Sequence, residues 1–198
     1  MDRRAPPSDA RDGAEPADSG SETIILDASA GDADGDTDAA LLELHPNGTF
    51  ESGIVPWVPY HGTVASDTTA RTGAHSLRAC AQASMPSDGV FSADDGGAIL
   101  APVVGATYHA IAWVRTAPGA TAAPSSVNLL FRTIDTSPAF AEVENVYTSS
   151  VAIDTTWTKI ETDLKVTKTA QALNVAVTGH YAAGACFLID DVSVVRID

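Results

Sequence analysis

Cationic side chains are scarce in this chain of 198 residues: 11 Lys and Arg stand against 26 Asp and Glu, for a formal net charge of −15. A protein without a phosphate-neutralising surface is a poor nucleic-acid binder, and its acidity also opposes anionic membranes. Aromatic residues make up only 6% of the chain, so any site that works by ring stacking has few candidates. Only two cysteines are present, which in a reducing compartment are usually small buried hydrophobes. No apolar run approaches membrane-spanning length. The first residues, Met1-Asp2-Arg3-Arg4, lack the apolar core of a signal peptide, so the chain as given reads either as cytoplasmic or as starting downstream of an export signal. None of the five histidines stands in a zinc-binding spacing, and there is no Gly-x-Ser-x-Gly elbow or phosphate-cradling glycine loop. Asp94-Asp95-Gly96-Gly97 reads as a turn whose adjacent carboxylates point apart rather than flanking a glycosidic bond. An enzyme is therefore the least favoured function.

What is there divides in two. Residues 1–41 are rich in Ala, Asp, Gly, Pro and Ser and carry much of the acidity, with one apolar island at Ile24-Ile25-Leu26. Such a segment cannot bury enough surface to offset its ordering entropy, which predicts a disordered acidic linker. Its alternating Asp32, Asp34, Asp36 and Asp38, with Glu43 beyond, resemble a calcium loop, but Thr37 occupies the required glycine position and no amphipathic helix flanks it. From residue 42 to 198 the pattern is short period-two runs between Gly, Pro, Asn and Asp turns. Strands are predicted at 99–104, 108–115, 127–132, 143–153, 158–164, 173–178 and 187–195. Many short strands with no sustained helical period give an all-β class, a sandwich or barrel.

Two carboxylates lie in apolar, strand-like runs near opposite ends of this domain: Glu51 in Asn47-Gly48-Thr49-Phe50-Glu51-Ser52-Gly53, and Asp190 in Phe187-Leu188-Ile189-Asp190-Asp191-Val192. A shared cation gives both a reason to be there. Backbone oxygens at Thr49, Gly73 and Ser76 would complete a hard-oxygen shell that suits calcium; a register offset by one would exchange Asp190 for Asp191. If Ser76 and Asp190 face each other on antiparallel strands, the same register sets Cys80 opposite Cys186. A bridge there, closing a loop of roughly a hundred residues, would add about 4–5 kcal/mol in the chain-entropy model, given an oxidising compartment.

The ordered motifs carry a resemblance. Asn47-Gly48-x-Phe50-Glu51-x-Gly53 is followed by Trp57, Gly73-Ala74-His75-Ser76-Leu77-Arg78 and Gly105-Ala106-Thr107-Tyr108. Ala112-Trp113-Val114-Arg115, Thr156-Trp157-Thr158 and Ile189-Asp190-Asp191-Val192 come next. Together they resemble the CenC-like carbohydrate-binding modules of families four and nine, over about residues 43–197. The resemblance implies a galactose-binding-like jelly roll of two antiparallel sheets, a structural calcium on Glu51 and Asp190, and secretion as a tethered, monomeric module that binds polysaccharide of the xylan, β-glucan or amorphous-cellulose class. A β-sandwich does not fix function, so an adhesion module that binds a protein partner is the alternative.

Sugar rings are held by aromatic faces and their hydroxyls by planar polar groups. Trp57 and Tyr60, beside His61, lie in a Pro- and Gly-containing edge segment. Trp113 and Arg115 share a strand face with apolar Ile111. Asn128 and Arg132 share the polar side of their strand, as do Asn174 and Thr178. Trp157, following a turn, reads as a core or rim plug. The site falls either on a concave sheet face or at the loop tips.

Overall fold

Alternation of apolar and polar residues lets each strand bury one face, and two such sheets stacked together bury both. In a computed structural model, which describes residues 41–84, 86–137 and 140–198, this produces eleven strands: β1 (Val58–Tyr60), β2 (Gly62–Asp67), β3 (Ser76–Ala81), β4 (Val90–Asp94), β5 (Ile99–Leu100), β6 (Thr107–Thr116), β7 (Val127–Asp135), β8 (Ala141–Tyr147), β9 (Thr158–Lys165), β10 (Ala172–His180) and β11 (Cys186–Arg196). They form two antiparallel sheets. One has the order β1-β4-β10-β7-β8 with β5 paired to β10; the other has the order β2-β3-β11-β6-β9. This is an all-β jelly-roll sandwich with no helix among the described residues. The linker predicted at the N-terminus, with its aspartate alternation, lies outside the described residues except for Leu41.

The inner faces meet in a core in which Leu129, Phe131, Leu173, Val175 and Val177 of one sheet oppose Leu77, Ala112, Val114, Phe187 and Ile189 of the other, all fully buried. Phe91 and Phe187 join the sheets with ring centres 5.3 Å apart. Truncating one such side chain to Ala would cost about 2–5 kcal/mol.

Two predicted strands are shorter in the structure. The run at 99–104 stops after Leu100, because Ala101 turns to a positive φ of 55° and Pro102 cannot donate to a ladder. The run at 143–153 stops at Tyr147: the Thr148 amide crosses to Leu129, and Val151 returns to bridge Val127.

The geometry of the Asn47–Gly53 loop against the last strand has a direct physical reading. Asn47 donates both amide hydrogens, to Gly53 O at 2.8 Å and Val55 O at 2.7 Å, and so closes the loop on itself. Gly48 lies against β11, where a Cβ would fall 1.7 Å from Val192 O. Phe50 then enters the core, fully buried, against Trp57. Glu43 receives the Val194 amide at 2.9 Å and Leu44 donates to Val194 O, which seats the first described residues on β11.

Candidate functional site

A groove of about 680 Å³ crosses the outer face of the six-stranded sheet. Its composition follows from the strand register. Val58, Asp94, Ala176, Leu130 and Tyr147 are direct cross-strand partners in turn and form one row perpendicular to the strands. Apart from Asp94 this row is apolar or aromatic. Tyr60, Ser92, Thr178 and Asn128 make the parallel row on one side, and Asn174, Arg132 and Asn145 make the row on the other. Five strands abreast give the floor a width of about 19 Å. Tyr60 stands at one end, 47% exposed, and Tyr147 at the other, 53% exposed, with Phe140 beside Arg132.

The two polar rows differ in their internal bonding. Arg132 donates from Nε to Asn174 Oδ1 at 2.6 Å and from Nη2 to Asp94 Oδ2 at 2.7 Å; its Nη1 reaches Glu142 at 3.3 Å. Asn174, fully buried, donates to Asp94 at 2.7 Å and also to Asp95. Asp95 lies under the groove with its Oδ2 3.4 Å from His45 Nε2, both side chains fully buried. On the opposite row Tyr60 donates its hydroxyl to Asp88 at 2.7 Å, and that bond raises the Tyr60 pKa and lowers that of Asp88. His61 stacks on the Tyr60 ring with centres 3.8 Å apart and stiffens this wall.

Of the residues proposed from sequence for sugar contact, the structure brings Tyr60, Asn128 and Arg132 together in the groove. It does not bring the others there. Trp57 is only 3% exposed, packed between Phe50 and His45 in the core, so its ring face is not available as a ligand platform. Trp113 and Arg115 are on β6, on the outer face of the other sheet. The Arg71 guanidinium lies 3.7 Å over the Trp113 ring, and Arg115 lies 5.7 Å over Trp157. The alternation that placed Trp113 and Arg115 on one strand face was sound, but it could not say which sheet that face belongs to. Tyr147, Phe140, Ser92, Leu130 and Ala176 were passed over; only the pairing of β8 with β7 and of β4 with β10 reveals them.

The carboxylates proposed for a cation converge on the turn at residues 71–76. Glu51 accepts from the amides of Ala74 at 3.0 Å and His75 at 2.9 Å, which hold its pKa below the ordinary value. Asp190, fully buried, accepts from the Arg71 amide at 2.6 Å and the Asp191 amide at 2.8 Å, and burial pushes its pKa upward despite those bonds. Gly73 has φ 65°, and a Cβ there would fall 2.4 Å from Glu51 Oε1, so the turn closes directly on that carboxylate. Ser76 donates to Thr69 O at 2.9 Å, and Asp191 pairs with Arg71 at 2.6 Å. No group of three His, Cys, Asp or Glu suited to a metal occurs among the described residues. The donors here, two carboxylates with surrounding backbone and hydroxyl oxygens, are all hard oxygen, the chemistry that suits calcium. Next to the turn, β3 and β11 pair with Cys80 opposite Cys186, and the two are joined in a disulfide with Cα atoms 4.1 Å apart.

A family model described as a carbohydrate binding domain, CBM_4_9, matches residues 42–183. The chain belongs to this family. Solved structures share the fold of this carbohydrate-binding domain at low identity. The CBM22-1 xylan-binding domain from Paenibacillus barcinonensis Xyn10C is 14% identical with a TM-score of 0.59, covering 80% of this chain and 97% of that one. A family 16 carbohydrate-binding module is 17% identical with a TM-score of 0.54, covering 77% and 99%. A Stig cyclase, Fisc, from Fischerella sp. TAU is 9% identical with a TM-score of 0.60, covering 80% and 98%. No match is found among curated proteins. In this carbohydrate-binding domain no helix among the described residues is long and apolar enough to cross a membrane.

Proposed function

We propose that this domain is a non-catalytic module that binds a polysaccharide of the xylan, β-glucan or amorphous-cellulose class in the groove of the six-stranded sheet. The observation that carries the reading is the row pattern: a strip from Val58 through Ala176 and Leu130 to Tyr147, apolar or aromatic except at Asp94, bordered on both sides by hydroxyl and amide groups, with Tyr60 at the far end of one border. A pyranose ring has apolar faces and a hydroxylated edge, so a linear glycan laid along the strip sets its rings on Leu130, Ala176 and the tyrosines while its hydroxyls meet the flanking rows. A xylan-binding domain among the structural neighbours agrees with this.

The way the groove carboxylates are held supports binding over catalysis. Asp94 is fixed by Arg132 and Asn174, and Asp88 by Tyr60, which lowers its pKa. A general acid needs a raised pKa instead, and the carboxyl group that burial raises, Asp190, lies in the other sheet.

Calcium is proposed as a structural ion held by Glu51 and Asp190, with Thr49, Gly73 and Ser76 supplying further oxygens. It would compensate the buried charge of Asp190 and tie the first loop to the last strand. The disulfide supports a module that acts in an oxidising compartment, exported and monomeric.

Affinity electrophoresis against soluble xylan, mixed-linkage β-glucan and hydroxyethylcellulose tests the binding. Retardation on at least one is expected. Folded protein that is retarded by none would end the proposal and favour a protein partner.

A further inference from the structure

We infer that Asn128 is the specificity-determining residue of the groove, taking a hydroxyl hydrogen from the bound glycan, and that the Ser92–Thr178–Asn128 row reads the ligand while the Arg132–Asn174 row only braces it. The inference rests on the glycan-groove reading above and assigns it a polarity.

Of the three amides that flank the apolar strip, Asn174 on one side and Asn128 on the other are in opposite states. The Asn174 amide is saturated: its oxygen accepts from Arg132 Nε and its nitrogen donates to Asp94 and Asp95. The Asn128 side chain lines the groove, and its oxygen is buried beside it with no partner among the described residues. A buried acceptor without a partner destabilises the free protein, and a ligand hydroxyl entering the groove beside Asn128 would supply the missing donor. Asn128 is followed along its row by the Thr178 and Ser92 hydroxyls, one strand apart each, which line the same groove. A hydroxylated chain edge running across the strands would meet these three groups in succession.

The charge of the groove points to the same ligand chemistry. Asp88 and Asp94 line the groove beside the single guanidinium of Arg132, which pairs with Asp94 and with neighbouring Glu142, while Asp88 pairs with His61. This surplus of negative charge repels carboxylated sugars, so the donor to Asn128 belongs to a neutral glycan and arrives as a hydroxyl.

Calorimetric titration with xylohexaose, cellohexaose and a mixed-linkage β-glucan oligosaccharide, run beside thermal melting, tests the assignment. For Asn128→Leu the expected result is a loss of roughly tenfold or more in affinity with a melting temperature equal to or above that of the wild type, because the orphan acceptor is gone. Thr178→Val should lose affinity several-fold with little change in melting, while Lys159→Ala, on the other sheet, should change neither. Asn174→Leu should lower the melting temperature, because it releases Arg132, Asp94 and Asp95. If the wild type binds and Asn128→Leu binds as tightly, the inference fails and the groove reading stands. If Asn128→Leu loses affinity and melting temperature together, the residue is a brace and the inference also fails. If the wild type binds none of the three oligosaccharides, the groove reading fails and this inference with it.

Discussion

The outer faces of the two sheets both display aromatic rings, and they differ in how many of those rings are left uncovered. On the five-stranded sheet Trp113 and Trp157 are each covered by an arginine, and Arg71 is anchored in turn on Asp191. On the six-stranded sheet Tyr60, Phe140 and Tyr147 are each about half exposed; His61 stacks on Tyr60 and Arg132 lies 4.9 Å over Phe140, while Tyr147 has no such cover among the described residues. Tryptophan is the larger stacking surface, yet a ring whose face is capped by a guanidinium is part of the scaffold. Tyr147, a smaller ring left open, is the one best able to meet a ligand. Ring type thus says less about function here than whether a neighbouring cation already occupies the face.

The comparison can be broken in several ways, beginning with the largest effect. Replacing Cys80 and Cys186 by Ala together should remove about 4 kcal/mol from unfolding in denaturant, since the bridge spans a sequence separation of 106 residues, while glycan affinity of the folded fraction stays unchanged. An affinity loss would mean that the five-stranded face takes part in binding.

Calcium removal should come next. Chelation is expected to lower the melting temperature without unfolding the domain at room temperature, by an amount equivalent to about 2.7 kcal/mol if the free ion had stood at a hundred times its dissociation constant. Glu51→Gln should abolish that difference. A melting curve insensitive to both calcium and chelator would remove the ion from the account.

Stripping single rings sharpens the contrast itself. Tyr147→Ala should weaken glycan binding by about 1–2 kcal/mol, roughly five- to thirtyfold, with stability little changed. Trp113→Ala should do the reverse, leaving affinity intact and lowering stability by about 1 kcal/mol through loss of the Arg71 stack.

The smallest effect is a pH dependence at the turn. Burial raises the Asp190 pKa, so in chelated protein the folded state holds its proton where the unfolded state has lost it. The stability of the wild type relative to Asp190→Asn should therefore fall as pH rises above the ordinary value of 3.8 and through the raised folded value. Glu51 has the opposite sign: its contribution relative to Glu51→Gln is present above the ordinary 4.5 and lost as pH falls through its lowered folded value. Denaturant unfolding of the three proteins across this range checks both.

Much of the scaffold was legible in the sequence because it rests on local, periodic constraints. Period-two runs give β6, β7, β9 and β10 nearly as they occur. The antiparallel register that sets Cys80 against Cys186 needs only one correct strand pair. The short strands β1, β2 and β4 were not read, because three to six residues carry too little alternation to stand out among turns. The groove was only partly legible for a different reason. Alternation places Asn128 with Arg132, and Trp113 with Arg115, but the ligand row is made by five strands whose order in the sheet is not their order in the chain. Trp57 misled because its segment is irregular, while its ring turns inward to Phe50.

The central claim is that ligand binds the six-stranded face and leaves the other untouched. A heteronuclear NMR titration with the oligosaccharide that binds best reports on both faces in one experiment. The account predicts large shifts at the amides of Ser92, Asn128, Leu130, Ala176, Thr178 and Tyr147 and none at the indole signals of Trp113 and Trp157. Shifts at those indoles with a silent groove would contradict it.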